Sequence, residues 1–142
     1  MKYGPVDVLV LASGEPRFDG SVVAELARLA DAGVVRVLDA MIIIMDADGK
    51  AYGLDIEDLD AEDKASLGFI NTGTRGLFDA EDAATFMEGL VPGSAVVALA
   101  IENAWAVPLI NSILDAGAEI ALHTRIPAVV VEDALEALGV EE

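Results

Sequence analysis

His123 is the single histidine of the chain, and cysteine is absent. The side chains that most often serve as general base, nucleophile or zinc ligand are therefore nearly missing. A histidine base works beside a nucleophile and an orienting acid, and its neighbours in sequence are Thr124 and Arg125. His123 reads as a polar strand position. His123 and Arg125 stand as ligand candidates, as does Arg75, a cation that can pair with a carboxylate or hold an anion. Arg75 lies in the glycine-rich stretch 68–76, whose Gly73-Thr74-Arg75-Gly76 has the look of a phosphate cradle. That stretch lacks the G-x-x-x-x-G-K-[ST] spacing and does not join a core strand to its helix, so a loop is expected.

Asp46-Ala47-Asp48-Gly49 has some character of a calcium loop. A calcium loop carries D-x-[DN]-x-[DN]-G and a glutamate six residues after the glycine. Lys50 and Asp55 stand near those places, so a tight turn is the expectation. The acidic run 55–63 reads as a solvated loop or helix face. No catalytic, metal or cofactor residue is expected, and the chain is not expected to be an enzyme.

The elements that would carry these residues follow from hydropathy. Residues 6–12 and 34–45 read as strands, with 50–54 returning after the Asp-Gly turn. Residues 94–101 form a further strand, and 118–125 the last. Helices are expected after Asp19 or Ser21 (stopped at Gly33), after Asp79, after Asn103 (stopped at Gly117) and from Pro127. The order is β-α-β, an acidic insert at 55–92, then β-α-β. Such split βαβ halves predict one α+β domain of ferredoxin-like plan over residues 1–142, with a flavodoxin-like α/β sheet as the alternative.

The strands are apolar on both faces. Met41, Ile43 and Met45 oppose Ile42 and Ile44; Val97, Leu99 and Ile101 oppose Val96, Ala98 and Ala100. A sheet with helices on one side and water on the other alternates instead. Leaving six such side chains in water would forgo about 1.5–3 kcal/mol each. The second face is therefore expected to be covered, by the insert and the last helix or by a second copy. Trp105, Ile42, Ile44, Val97 and Leu99 are the candidate interface residues. Asp39 breaks an apolar run, which predicts a bend or bulge.

Among 142 residues, 54% are hydrophobic and 26 acids face 8 bases, for a net charge of −18. Such a field repels nucleic acid and anionic lipid and attracts basic proteins. No leader and no apolar run of about 20 residues is evident, so a cytoplasmic protein without membrane contact is expected.

Leu90-Val91-Pro92-Gly93-Ser94-Ala95, Glu102-Asn103-Ala104-Trp105-Ala106-Val107-Pro108, Ala116-Gly117-Ala118 and Arg125-Ile126-Pro127 resemble a known pattern, as does 33–39 followed by Asp46-Ala47-Asp48-Gly49. They resemble the actinobacterial domain-of-unknown-function family numbered 6325, a relative of that numbered 1269. The resemblance covers nearly the whole chain and implies no assigned catalytic or binding residue. Members of the relative often carry a glycine-rich apolar hairpin where this chain is acidic, which argues against a membrane role. The functional expectation is a non-enzymatic homo-oligomer, dimeric or higher, acting as a scaffold or regulator with a link to stress. The alternatives are a ligand binder or enzyme of dimeric α/β barrel type, with His123, Arg125 and Arg75 lining its cleft, and an acidic adaptor for a basic protein.

Overall fold

Strand β4 (Ala95–Glu102) is buried at all eight positions. It is rich in Val, Ala and Ile, and a strand with no polar face belongs in the middle of a sheet. On one side it pairs antiparallel with β1 (Val6–Ser13), on the other with β2 (Arg36–Met45). β2 also pairs with β3 (Ala51–Leu54) through the Asp46–Gly49 hairpin turn. The computed structural model describes residues 1–13, 20–54, 68, 70 and 77–139. The acidic run 55–63, Arg75 and Asp19 fall outside them, as does most of the glycine-rich stretch.

The architecture is α+β, with a four-stranded antiparallel sheet of order β1-β4-β2-β3 and, among the described residues, four helices. These are α1 (Gly20–Asp31), α2 (Ala80–Met87), α3 (Ala106–Asp115) and α4 (Ala128–Ala137). β1 and β2 both oppose β4 and so run parallel to each other, joined through α1. This is the first split βαβ unit that the sequence predicts. The second half differs: residues 118–125, expected as a strand, form no ladder. The chain makes two compact units, Met1–Asn111 and Ser112–Glu142, and the sheet belongs wholly to the first.

Residues that face each other across antiparallel strands share a face. Leu11, Val97 and Ile42 lie in one such row and Leu9, Leu99 and Ala40 in the next. This face forms the core with Val35, Val37, Ile70 and Ile101, and Leu26 and Leu29 of α1 pack on it. The opposite face carries Val10, Ala98 and Met41, then Val8, Ala100 and Asp39. The predicted irregularity at Asp39 is a β-bulge: the register shifts between Val37 and Asp39, leaving Leu38 as the extra residue. The bulge turns the Asp39 carboxylate to useful account, because Oδ2 accepts from Phe78 N at 2.9 Å and Oδ1 from Ala40 N at 2.9 Å. Phe78 is thereby fixed beside α2, where its ring meets Phe86 edge-on at 5.4 Å.

Asp79 starts α2 with a reciprocal capping box. Its Oδ1 accepts from Asp82 N at 2.9 Å, while Asp82 Oδ2 accepts from Asp79 N at 3.0 Å. Truncating this cap with Asp79→Ala is expected to cost about 1 kcal/mol, read as a lower urea midpoint with an unchanged m-value. An unchanged midpoint would show that α2 adds nothing to the cooperative unit.

Candidate functional site

The densest polar constellation sits where β4 ends. Glu102 is the last residue of that strand, and its side chain is 0% exposed. A buried carboxylate is tolerated only when donors and a counter-charge surround it. Arg36 begins β2 directly opposite, in the register pair Arg36–Glu102. Its Nη2 donates to Oε2 at 2.8 Å, and its Nε lies 2.7 Å from Oε1. The Nε–H is not aimed along that line, so Oε1 is ion-paired without accepting a hydrogen bond. The guanidinium, 43% exposed, also stands over the Tyr3 ring at 5.4 Å, a cation–π contact.

The other donor to Oε2 is Gly4 N at 2.7 Å. Gly4 is close against the residue that follows β4, for a Cβ there would meet Asn103 O at 2.1 Å. Glycine is the residue that permits such an approach. Asn103 completes the tie: its backbone N donates to Pro5 O at 2.8 Å, and its Nδ2 to Pro5 O at 3.1 Å and to Asp7 Oδ2 at 2.8 Å. The N-terminal amine donates to Asn111 Oδ1 at 2.7 Å. The arrangement holds the first residues of the chain against the end of β4. It offers no nucleophile, and the carboxylate is spent on its own chain, so its chemistry is that of a clamp.

A second feature is an open groove of about 500 Å³ beneath the end of α2, lined by Phe86, Leu90 and Val91 on one side and by Val10, Ala12 and Val96 of the sheet on the other. Two of its hydroxyls are engaged: Thr85 Oγ1 donates to Glu81 O, and Ser94 Oγ donates to Val91 O while accepting from Val91 N. The groove opens onto β1, whose Val6, Val8 and Val10 on this face are 46%, 55% and 48% exposed.

A family model described as a family of unknown function, DUF6325, matches residues 2–142. The chain belongs to that family. No curated protein and no solved structure matches it.

In this DUF6325 chain the described residues singled out by sequence lie on several different elements. Val97 and Leu99 lie in the core under α1, and Ile42 packs against them; Ile44 is half-buried on β2. Trp105 is 55% exposed just before α3, and its Nε1 donates to Asn103 Oδ1 at 3.3 Å. His123 and Arg125 are exposed in the stretch between α3 and α4, and Arg75 is outside the described residues. Asp46 Oδ1 accepts from Asp48 N at 3.0 Å and Lys50 N at 2.9 Å, which commits it to the hairpin turn. Among the described residues no three His, Asp or Glu side chains form a metal-holding group, and no helix is long and apolar enough to cross a membrane.

Sequence reading missed the Glu102 clamp. The signal was an acid closing an otherwise apolar strand, with a lone arginine opening another. Arg36→Ala strands the buried carboxylate and is expected to lower the unfolding free energy by about 3 kcal/mol. Adding Glu102→Gln removes that charge and should restore about 1 kcal/mol. Urea denaturation of both variants checks this; additive losses would contradict it.

Proposed function

We propose that the chain is a non-enzymatic, homo-oligomerising protein that acts as a scaffold or regulator through its sheet, with a ferredoxin-like plan as the frame. The observation that carries this reading is β1. It is an edge strand with Val6, Val8 and Val10 exposed on one face and Leu9 exposed on the other. Native edge strands are ordinarily protected by charge, proline, bulges or brevity. β1 runs eight residues with a regular register, and Asp7 is its one charged residue. A strand of this kind is suited to being covered.

The clamp supports the same reading from the other direction. The fully buried Glu102 carboxylate at the end of β4 is spent on holding the start of β1 in place. The groove beside Val10 extends the apolar strip towards α2.

The net charge of −18 opposes association at low salt and is screened as salt rises. Light scattering after size exclusion at micromolar concentration is expected to give a dimer or larger species, strengthened by salt. Val8→Lys with Val10→Lys is expected to give a monomer with unchanged far-UV circular dichroism. A wild-type monomer under all these conditions would overturn the reading.

A further inference from the structure

We infer that the groove beneath α2 takes an apolar segment of a partner protein that carries lysine or arginine beside its aliphatic side chains. Such a segment is what the proposed scaffold would hold, beyond its own second copy. The groove lies wholly within the unit Met1–Asn111. Phe86, Leu90 and Val91 form one wall, Val10 and Ala12 the other, and Val96 of β4 lies at its floor. Its volume of about 500 Å³ is of the size that receives a ligand. An open, apolar-lined groove suits the anchoring side chains of a longer chain.

The charge around the groove is of one sign. Residues 76–124 contain neither lysine nor arginine, while Asp79, Glu81, Asp82 and Glu88 stand in or beside α2. Asp79 and Asp82 are committed to the capping box. Glu81 and Glu88 are exposed, and neither carboxylate has an ion-pair partner among the described residues. Glu88 lines the groove directly after the last residue of α2, and no basic residue stands in that helix's last turn. The negative end of the helix dipole and the Glu88 carboxylate therefore act together on whatever enters.

This charge selects among occupants. A second copy brings a net charge of −18, and the unit Ser112–Glu142 brings seven acids against Arg125 as its one arginine or lysine. Either meets like charge at this rim, which leaves the edge of β1 to the second copy. Nucleic acid and anionic lipid are repelled as well. A basic amphipathic segment sets its aliphatic side chains on the apolar lining and its cations against Glu88. The apolar contact supplies affinity and the charges supply orientation and partner choice.

The probe is a short fluorescein-labelled peptide of leucine and lysine with its leucines at helical spacing, and fluorescence anisotropy is read at physiological ionic strength. Saturable binding of one peptide per chain is expected. Glu88→Lys should weaken it at least about tenfold, and Val91→Asn, at a residue 59% exposed, at least about fivefold, with far-UV circular dichroism retained in both. Asp31→Lys makes the same charge change at the end of α1, whose Leu26 and Leu29 pack on the other face of the sheet, and should weaken binding less than about twofold. Equal losses in Glu88→Lys and Asp31→Lys would reveal a diffuse attraction of opposite charges. Unchanged binding in Val91→Asn would show that the groove is not entered. Either result, or no saturable binding, would overturn the inference. Light scattering on the same variants separates it from the oligomeric reading. Oligomer size is expected to be unchanged in Glu88→Lys and Val91→Asn. An oligomer lost in either would put the second copy in the groove, overturning this inference and leaving homo-oligomerisation standing. A monomeric wild type that binds the peptide would overturn homo-oligomerisation alone.

Discussion

A strand buried along its entire length imposes severe terms on its own ends, and β4 sets those terms here. From Ala95 to Ile101 the requirement is easily met, because the side chains are apolar and the ladders on both sides satisfy the backbone. At Glu102 the strand is still buried but the side chain is charged. That carboxylate cannot reach water, so the charge and donors it needs must be brought to it. Arg36 arrives by sheet register, and Gly4 arrives by the approach that only a missing Cβ permits. The polar tie is thus a consequence of placing an acid at the end of a dry strand. A hydrophobic residue there would spare the desolvation, but would leave the first residues of the chain unfastened.

The same central strand divides the sheet into a covered side and a bare one. Around β2 and β4 both faces are closed, by α1 over the core and by α2 over Asp39 and Phe78. β1 differs, with Val6, Val8 and Val10 about half exposed. β1 is the strand left over. Its valines resemble those of β4 in type and differ in that exposure. The expectation that both faces must be covered holds for the inner strands, and within the chain the insert supplies α2 for that purpose. At the edge strand it becomes the basis for the proposed partner.

Local features were legible because local chemistry determines them. The Asp79 cap, the Asp-Gly hairpin, the stop glycines and the order of elements through α3 all follow from neighbours within a few residues. The bulge at Asp39 was visible as an acid interrupting an apolar run. The clamp was not legible, since Glu102 and Arg36 are 66 positions apart and Gly4 and Glu102 are 98 apart. Nothing in one sequence announces such pairings. Nor did sequence distinguish Val97 and Leu99, which are buried, from Val8 and Val10, which are exposed: all are strand aliphatics, and only the strand order decides. The stretch 118–125 has the alternation of a strand without a ladder, as expected where a strand's partner depends on context that period alone does not carry.

The clamp and the apolar edge are linked by register. Side chains alternate between faces with a period of two, so a slip of one residue between β1 and β4 would exchange the two faces of β1. It would send Asp7, Leu9 and Leu11 to the groove side and turn Val6, Val8 and Val10 toward α1. A flat run of aliphatics resists such a slip poorly, because Val, Leu and Ala fit either face. The contacts of Gly4 with Glu102 and of Pro5 and Asp7 with Asn103 resist it well, since hydrogen bonds at 2.7–3.1 Å do not tolerate a displacement of about 3.3 Å. A polar device at one end of the strand thereby decides which apolar surface its middle displays. The buried charge that looks costly for stability is what gives the bare edge of the sheet a defined shape.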